Sequence, residues 1–419
     1  MRHLKLGVVI LAAAILTACG GGGSDVPAKP KFTSQVSFGD SLSDVGSYKE
    51  GVVATVGGGQ FTINIAGTPT NWTELTAAQF GLPAPCAART GLNDGTAGTV
   101  PATVGVTYVM PVTDHAGCTS YAQGGSRVTS QPGIGNAALG GIALTEPVAT
   151  QISNHLAANG GSFNGSEIVF VMAGANDVFF QIALLTPGAT AAATAAVTAA
   201  VPAQVPLEIA AGNCTLAEAS TVCVTAAVAT LTPTVGATAF DDYIDANKAA
   251  AVPALDAAAT DLLTDVNTLI LANGAKYVTV VNIPDIGSTP QAALMGPKTK
   301  TLVNSMVDTF NTTLKNGLAG TANVLLVDAY SASKDEVANP AKYNLTNVTD
   351  TACDLSFGVN PLATSTAEGS SLACNSGNLK TGVAASDHYL FADKVHPTPY
   401  GHALFATYVL QQMVSKGWF

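Results

Sequence analysis

Charge is scarce in this chain: 11% of its 419 residues are Asp, Glu, Lys or Arg, with 17 basic residues against 28 acidic ones. No run of Lys or Arg stands out, which argues against a nucleic-acid partner, because phosphate binding needs clustered positive charge. Metal-binding patterns are missing as well. No Cys-x-x-Cys occurs and the six histidines are scattered without ligand spacing, so neither a metal nor another cofactor is expected. The Gly-x-Ser-x-Gly elbow of α/β-hydrolases is absent from the whole chain. Beyond the N-terminal stretch, no segment reads as long and apolar enough to cross a bilayer.

What is present is globular in composition: 47% of residues are hydrophobic and the formal charge is −11, enough to bury a large core. Arg2 and Lys5 precede an apolar run from Leu6 to Leu16, the pattern of a signal peptide and too short for a comfortable membrane span. The run ends in Leu16-Thr17-Ala18-Cys19-Gly20, which resembles the bacterial lipobox. That resemblance implies cleavage before Cys19, a lipid on its thiol and a cell-envelope lipoprotein anchored to a membrane. Gly20, standing where an Asp would mark inner-membrane retention, implies the outer membrane. The competing reading is an ordinary secretory signal that contains a cysteine. Residues 1–18 are thus read as the signal peptide, 19–30 as a lipidated Gly-rich tether, and 31–419 as one folded domain.

Seven cysteines less Cys19 leave six, an even number in an export-permissive compartment. The sequence-adjacent pairing Cys86–Cys118, Cys214–Cys223 and Cys353–Cys374 is expected, because each bond closes one local loop.

Four short β-prone runs punctuate the folded part: Gln35 to Phe38 before Gly39, Glu167 to Met172, Lys276 to Asn282, and Asn323 to Val327. Near-continuous apolar runs suit strands covered on both faces. Between them lie amphipathic helical patterns, one placing Leu262, Leu263, Val266, Leu269 and Ile270 on one face, another running from Lys298 to Leu318. The last carries Leu404, Phe405, Tyr408, Val409 and Met413. Alternating strands and helices predict a three-layer α/β/α fold with a parallel sheet. An Ala-rich, nearly uncharged insertion at about 183–239 interrupts the pattern and reads either as a helical cap stapled by Cys214 and Cys223 or as a low-complexity loop.

Four segments carry chemistry. Phe38-Gly39-Asp40-Ser41-Leu42-Ser43-Asp44 directly follows the first strand, where ligands of open α/β sheets bind; Ser41 is a candidate nucleophile, with its own N–H at the start of a following helix. Asp393-Lys394-Val395-His396-Pro397 offers His396 as the base a serine hydroxyl needs, with Asp393 to orient it. Asn176, in Ala173-Gly174-Ala175-Asn176-Asp177, has a side-chain amide able to donate to an oxyanion. In Tyr121-Ala122-Gln123-Gly124-Gly125-Ser126, a glycine lets backbone N–H approach developing charge. Each alone has an ordinary reading as a turn or solvated loop.

In chain order the four are similar to the Ser, Gly, Asn and His blocks of the GDSL esterases and lipases, also called SGNH hydrolases. Asn282-Ile283-Pro284-Asp285-Ile286-Gly287 resembles a further block of that family, and the resemblance runs from about Ser34 to Met413. It implies a flavodoxin-like α/β/α sandwich and a serine ester hydrolase. Ser41 is then nucleophile, His396 base and Asp393 its orienting acid. The implied oxyanion hole consists of Ser41 N–H, the Asn176 amide and the N–H of Gly124 or Gly125. The expected partner is an ester substrate, a lipid or a small acyl ester. The same site also suits an acyltransferase, and a non-catalytic surface-binding lipoprotein is the rival from outside enzymology.

Overall fold

The computed structural model describes residues 29–91, 112–131, 133–134 and 145–419, together with the short strands Gly98–Thr99 and Thr107–Tyr108. The expected signal peptide, Cys19 and nearly all of the 19–30 tether lie outside the described residues.

The central sheet is parallel, in the sequential order β1 (Gln35–Gly39), β2 (Ile168–Met172), β3 (Tyr277–Val281) and β4 (Val324–Val327). These strands fall on the four apolar runs to within one residue at each end. β1 and β2 are buried at every position, as strands covered on both faces must be. Beyond β1, the segment 119–123 extends the sheet edge: Ser37 N–H donates to Thr119 O, and Tyr121 and Gln123 N–H donate to Ser37 O and Gly39 O.

Connections are carried mainly by α1 (Trp72–Gln79), α2 (Val148–Ala158), α3 (Ala175–Ala210), α4 (Val222–Leu231), α5 (Ala237–Asn247), α6 (Ala251–Asp265), α7 (Pro297–Leu318), α8 (Ala329–Ala338) and α9 (Pro399–Lys416). Because side chains alternate along a strand, β2 serves two cores. Val169 and Val171 pack with Ile152 of α2, Leu262 of α6 and Phe310 of α7, whereas Ile168, Phe170 and Met172 meet Trp72 of α1 and Val409 and Met413 of α9. Helices cover both faces, and the fold is a three-layer α/β/α sandwich.

The Ala-rich stretch is helical, as Ala, the strongest helix former, favours. α3 passes through Pro187, Pro202 and Pro206 and packs on α4 and α5. Inside this cap the buried Glu208 accepts from Gln204, Asn213 and Thr230 side chains at 2.7, 2.7 and 2.9 Å. The three disulfides join Cys86 to Cys118, Cys214 to Cys223 and Cys353 to Cys374.

One expectation is corrected. α3 and the continuous helical run Val222–Leu271 are each long and apolar enough, by length and composition, to cross a membrane. In the sequence, prolines and interleaved threonines divide these stretches into pieces; in three dimensions the helix runs through them. The second run contributes one face to the core, with Leu255, Leu262, Val266 and Ile270 fully buried, while most of its residues are not buried.

β1 ends at Gly39, with φ at +154° and a backbone so close to β2 that a Cβ there would sit 2.4 Å from the Met172 carbonyl oxygen. Backbone cannot yield as a flexible side chain would. Gly39→Ala is expected to destabilise the fold by about 1–3 kcal/mol, measured by urea unfolding; an unchanged midpoint would show that the strand end relaxes freely.

Candidate active site

Strand register decides where the site lies. Gly39, Met172, Val281 and Val327 pair in one row across the sheet, so all four strands deliver their following loops to the same edge. After β1 the chain turns rather than entering a helix, which corrects the helix start expected at Ser41; the first helical turn is Gly51–Thr55. Leu42 N–H donates to Asp40 Oδ1 at 3.0 Å and Ser43 N–H to Asp40 O at 3.1 Å. Asn71, the N-cap of α1, donates from its amide to Leu42 O at 2.9 Å. Together these bonds present Ser41.

His396 arrives from the other end of the chain. β5 (Asn347–Thr351) pairs in parallel with β6 (Tyr389–Phe391), and Ala392 N–H closes a turn on His396 O at 2.8 Å. His396 Nε2 lies 2.8 Å from Ser41 Oγ, and its Nδ1 lies 2.8 and 2.9 Å from the two Asp393 oxygens. A carboxylate accepts only, so Nδ1 carries the hydrogen and Nε2 is free to accept from the serine hydroxyl. Asp393 also accepts the N–H groups of Val395, His396 and Ser371. Burial opposes its ionisation, but the His396 charge and these donors outweigh burial and hold the carboxyl well below the usual aspartate range. Ser371 adjoins Cys374, whose bond to Cys353 ties this support to the strand pair.

The glycine loop is tied to the serine turn. Asp44 accepts Gly46 N–H, Ser47 N–H, Ser47 Oγ–H and Gly124 N–H. Burial pushes the Asp44 carboxyl up, against those donors. Gly124 N–H is therefore committed inward at 2.9 Å from Asp44. Gly125, at φ +84°, lines the cavity instead, and no acceptor among the described residues reaches its N–H or that of Ser41. Asn176, at the start of α3, donates one amide hydrogen to Ser126 O at 2.9 Å, which fixes the amide, and it lines the same cavity as Ser41. Asp177 accepts from Arg127 Nε and Val128 N–H, both at 3.1 Å.

Two contributors have a weak sequence signature. Gln151 falls on the buried face of α2 with Val148, Ile152 and His155, a polar residue at an apolar position of the helical period. Its amide accepts Gly39 N–H at 2.8 Å and donates to Gly39 O at 2.9 Å and Ser126 Oγ at 3.0 Å, joining the serine and glycine segments. His402, buried in α9, is lowered to about 3 by burial and by the His396 charge, so it stays neutral beside the base. Other histidines keep structural places. His155 sits among Phe38, Tyr121 and Phe163, and His388 stacks on Tyr400.

Ser41, Gly125, Asn176, His396 and His402 line a cavity of about 460 Å³ whose wall is mainly apolar. An activated hydroxyl, a base and unengaged donors facing one cavity are the parts acyl transfer requires.

The sequence matches the family described as GDSL-like Lipase/Acylhydrolase over residues 36–409. GDSL esterase/lipase APG from Arabidopsis thaliana is 29% identical over 171 residues, 38% of this chain and 46% of that protein, so the match spans less than half of the plant relative. Phospholipase A1 from Streptomyces albidoflavus NA297 aligns over 91% of this chain and 99% of its own at 13% identity, with a TM-score of 0.35.

Because the Asp393 carboxyl titrates lower when folded than unfolded, it contributes stability above the ordinary aspartate range and loses that contribution as pH falls through that range toward its depressed folded value. The stability gap between wild type and Asp393→Asn should therefore narrow as pH falls below about 5 and go on narrowing below the ordinary aspartate range, followed by urea unfolding at stepped pH. A gap independent of pH would count against the assignment.

Proposed function

We propose, from the premise that this chain belongs to the GDSL-like lipase/acylhydrolase family, that it hydrolyses carboxylic esters through an acyl-enzyme on Ser41. The observation that carries this reading is the continuous chain from Ser41 Oγ through His396, both in the cavity wall, to the buried Asp393 behind them. Ser41 Oγ attacks the ester carbonyl carbon while His396 Nε2 takes the hydroxyl proton, and Asp393 holds the imidazole and stabilises its charged form. The carbonyl oxygen becomes an oxyanion facing Ser41 N–H, the second Asn176 amide hydrogen and Gly125 N–H. Gly125 takes that place rather than Gly124, whose N–H is bound to Asp44. The carbon–oxygen bond to the alcohol breaks, and His396 returns its proton to the leaving oxygen. Water repeats the sequence on the acyl-enzyme and releases the acid and free Ser41.

Ser41→Ala should abolish turnover of a short-chain aryl ester, and Asn176→Ala should lower kcat by about 10²–10³. Full-rate hydrolysis by a folded Ser41→Ala protein would end the proposal.

We further propose export to the bacterial envelope with a lipid on Cys19, supported by the lipobox-like Leu16–Gly20 segment, and an outer-membrane destination because Gly20 follows it. Palmitate labelling should disappear in Cys19→Ser; labelling that persists would remove the anchor.

A further inference from the structure

Acids dominate the charged groups around the cavity. Among the described residues its lining includes Asp40, Asp285, Glu336 and Glu368 but no Lys or Arg. Three of the four have a protein donor. Asp40 accepts Leu42 N–H, Asp285 accepts Ser288 Oγ–H at 2.5 Å, and Glu368 pairs with Lys394 Nζ at 2.5 Å. Glu336 has none. It is 7% exposed, yet no donor among the described residues reaches its carboxyl.

Its placement follows from the helix. α8 starts at the carboxyl end of β4, and Ala329, Ser333, Glu336 and Val337 recur at spacings of four, three and one along it, one helical face turned to the cavity. The nearest hydroxyl on that face is spent: Ser333 Oγ donates to Ala329 O at 2.8 Å and accepts Asp285 N–H at 2.9 Å. The neighbouring Asp335 turns away and is tied to Lys342 and Tyr343. Burial, with a smaller contribution from the Asp335 charge, pushes the Glu336 carboxyl up to about 7. A buried acceptor without a donor is costly, and an apolar residue would close this wall without that cost.

We propose that Glu336 is a substrate-binding residue that accepts a hydrogen bond from a donor group carried by the ester, a hydroxyl or a primary ammonium, so that the cavity selects neutral or cationic polar esters and rejects anionic ones. Apolar walls hold the chain between the reacting carbonyl and that donor. With Glu336 ionised, an anionic group placed beside it meets a like charge and is desolvated without gaining a partner there, which is how a site rejects a competitor more strongly than apolar contacts can. The inference rests on Ser41 turnover.

The test uses two ester series of equal tail length, ending in methyl, hydroxyl, ammonium or carboxylate. The tail sits on the acyl side in one series and on the alcohol side in the other, and hydrolysis is followed by pH-stat. In wild type, kcat/KM for a donor-terminated ester should exceed that of its carboxylate counterpart at least about tenfold in one series, the scale of a hydrogen bond to a charged group; the hydroxyl and ammonium arms separate the two donors. In Glu336→Gln that ratio should fall about tenfold, and because it is taken within one variant, losses common to both substrates cancel. Glu336→Asp should keep part of the ratio and serves if the Gln variant does not fold. Equal kcat/KM across the four tails in wild type, or an unchanged ratio in the variants, overturns the proposal. Ser41→Ala separates the two levels: flat ratios with inactive Ser41→Ala remove Glu336 alone, whereas an active Ser41→Ala removes the hydrolase reading beneath it.

Discussion

A 2.8 Å contact between Ser41 Oγ and His396 Nε2, groups 355 positions apart in the chain, is the constraint on which the site depends. Neither partner is held by the other. Ser41 is set by the strand-end turn, where Asp40, Asn71 and Gln151 fix the backbone on both sides. His396 is set by a small parallel strand pair and by Asp393, which binds both the imidazole and the backbone that carries it. The two segments meet at hydrogen-bonding distance because the His396 turn is seated by neighbours of the strand ends: Thr62 Oγ1 donates to Pro397 O at 2.9 Å and Gln291 N–H to Lys394 O at 3.0 Å.

Buried acids brace this arrangement in a chain with little charge to spend. Asp44 gathers four donors and thereby ties the glycine loop to the serine turn. Asp177 pairs with Arg127, whose guanidinium also lies 3.8 Å over the Phe180 ring. Each carboxylate loses its hydration on burial and recovers hydrogen bonds from the backbone or a cation, which sustains such groups in a core. Donor number alone does not sort their ionisation, since burial pushes the Asp44 carboxyl up despite its four donors; a neighbouring charge such as that of His396 also counts. Asp393, with the imidazole and three backbone N–H groups, lies below the usual range, whereas Asp40 is raised to about 7 by burial with a single amide donor from Leu42.

The helical cap starts inside the site. α3 begins with Ala175 and Asn176 in the cavity wall and extends to Ala210, so the residue beside Ser41 and the cap share one continuous helix. Its length comes from Ala and Val in succession, and its inward polar groups are satisfied within the cap through Glu208.

Much of the sheet was legible in sequence, because a strand buried on both faces is largely apolar; Gln35–Gly39, Ile168–Met172 and the two later runs declare themselves without reference to one another. Local disulfide pairing was legible for a similar reason, each loop being short. The chemical residue types around Ser41, Asn176 and His396 could be picked out because they stand in recognisable blocks at strand and helix ends. Only tertiary structure decided which glycine N–H is engaged, since that turns on Asp44 reaching Gly124 across 80 residues. It likewise decided that Gln151 bridges two segments and that Glu336 faces the cavity without a donor among the described residues. Composition and period report what each residue prefers. Whether a polar group finds a partner is a property of the packed neighbourhood, and that neighbourhood exists only once distant segments have been brought together.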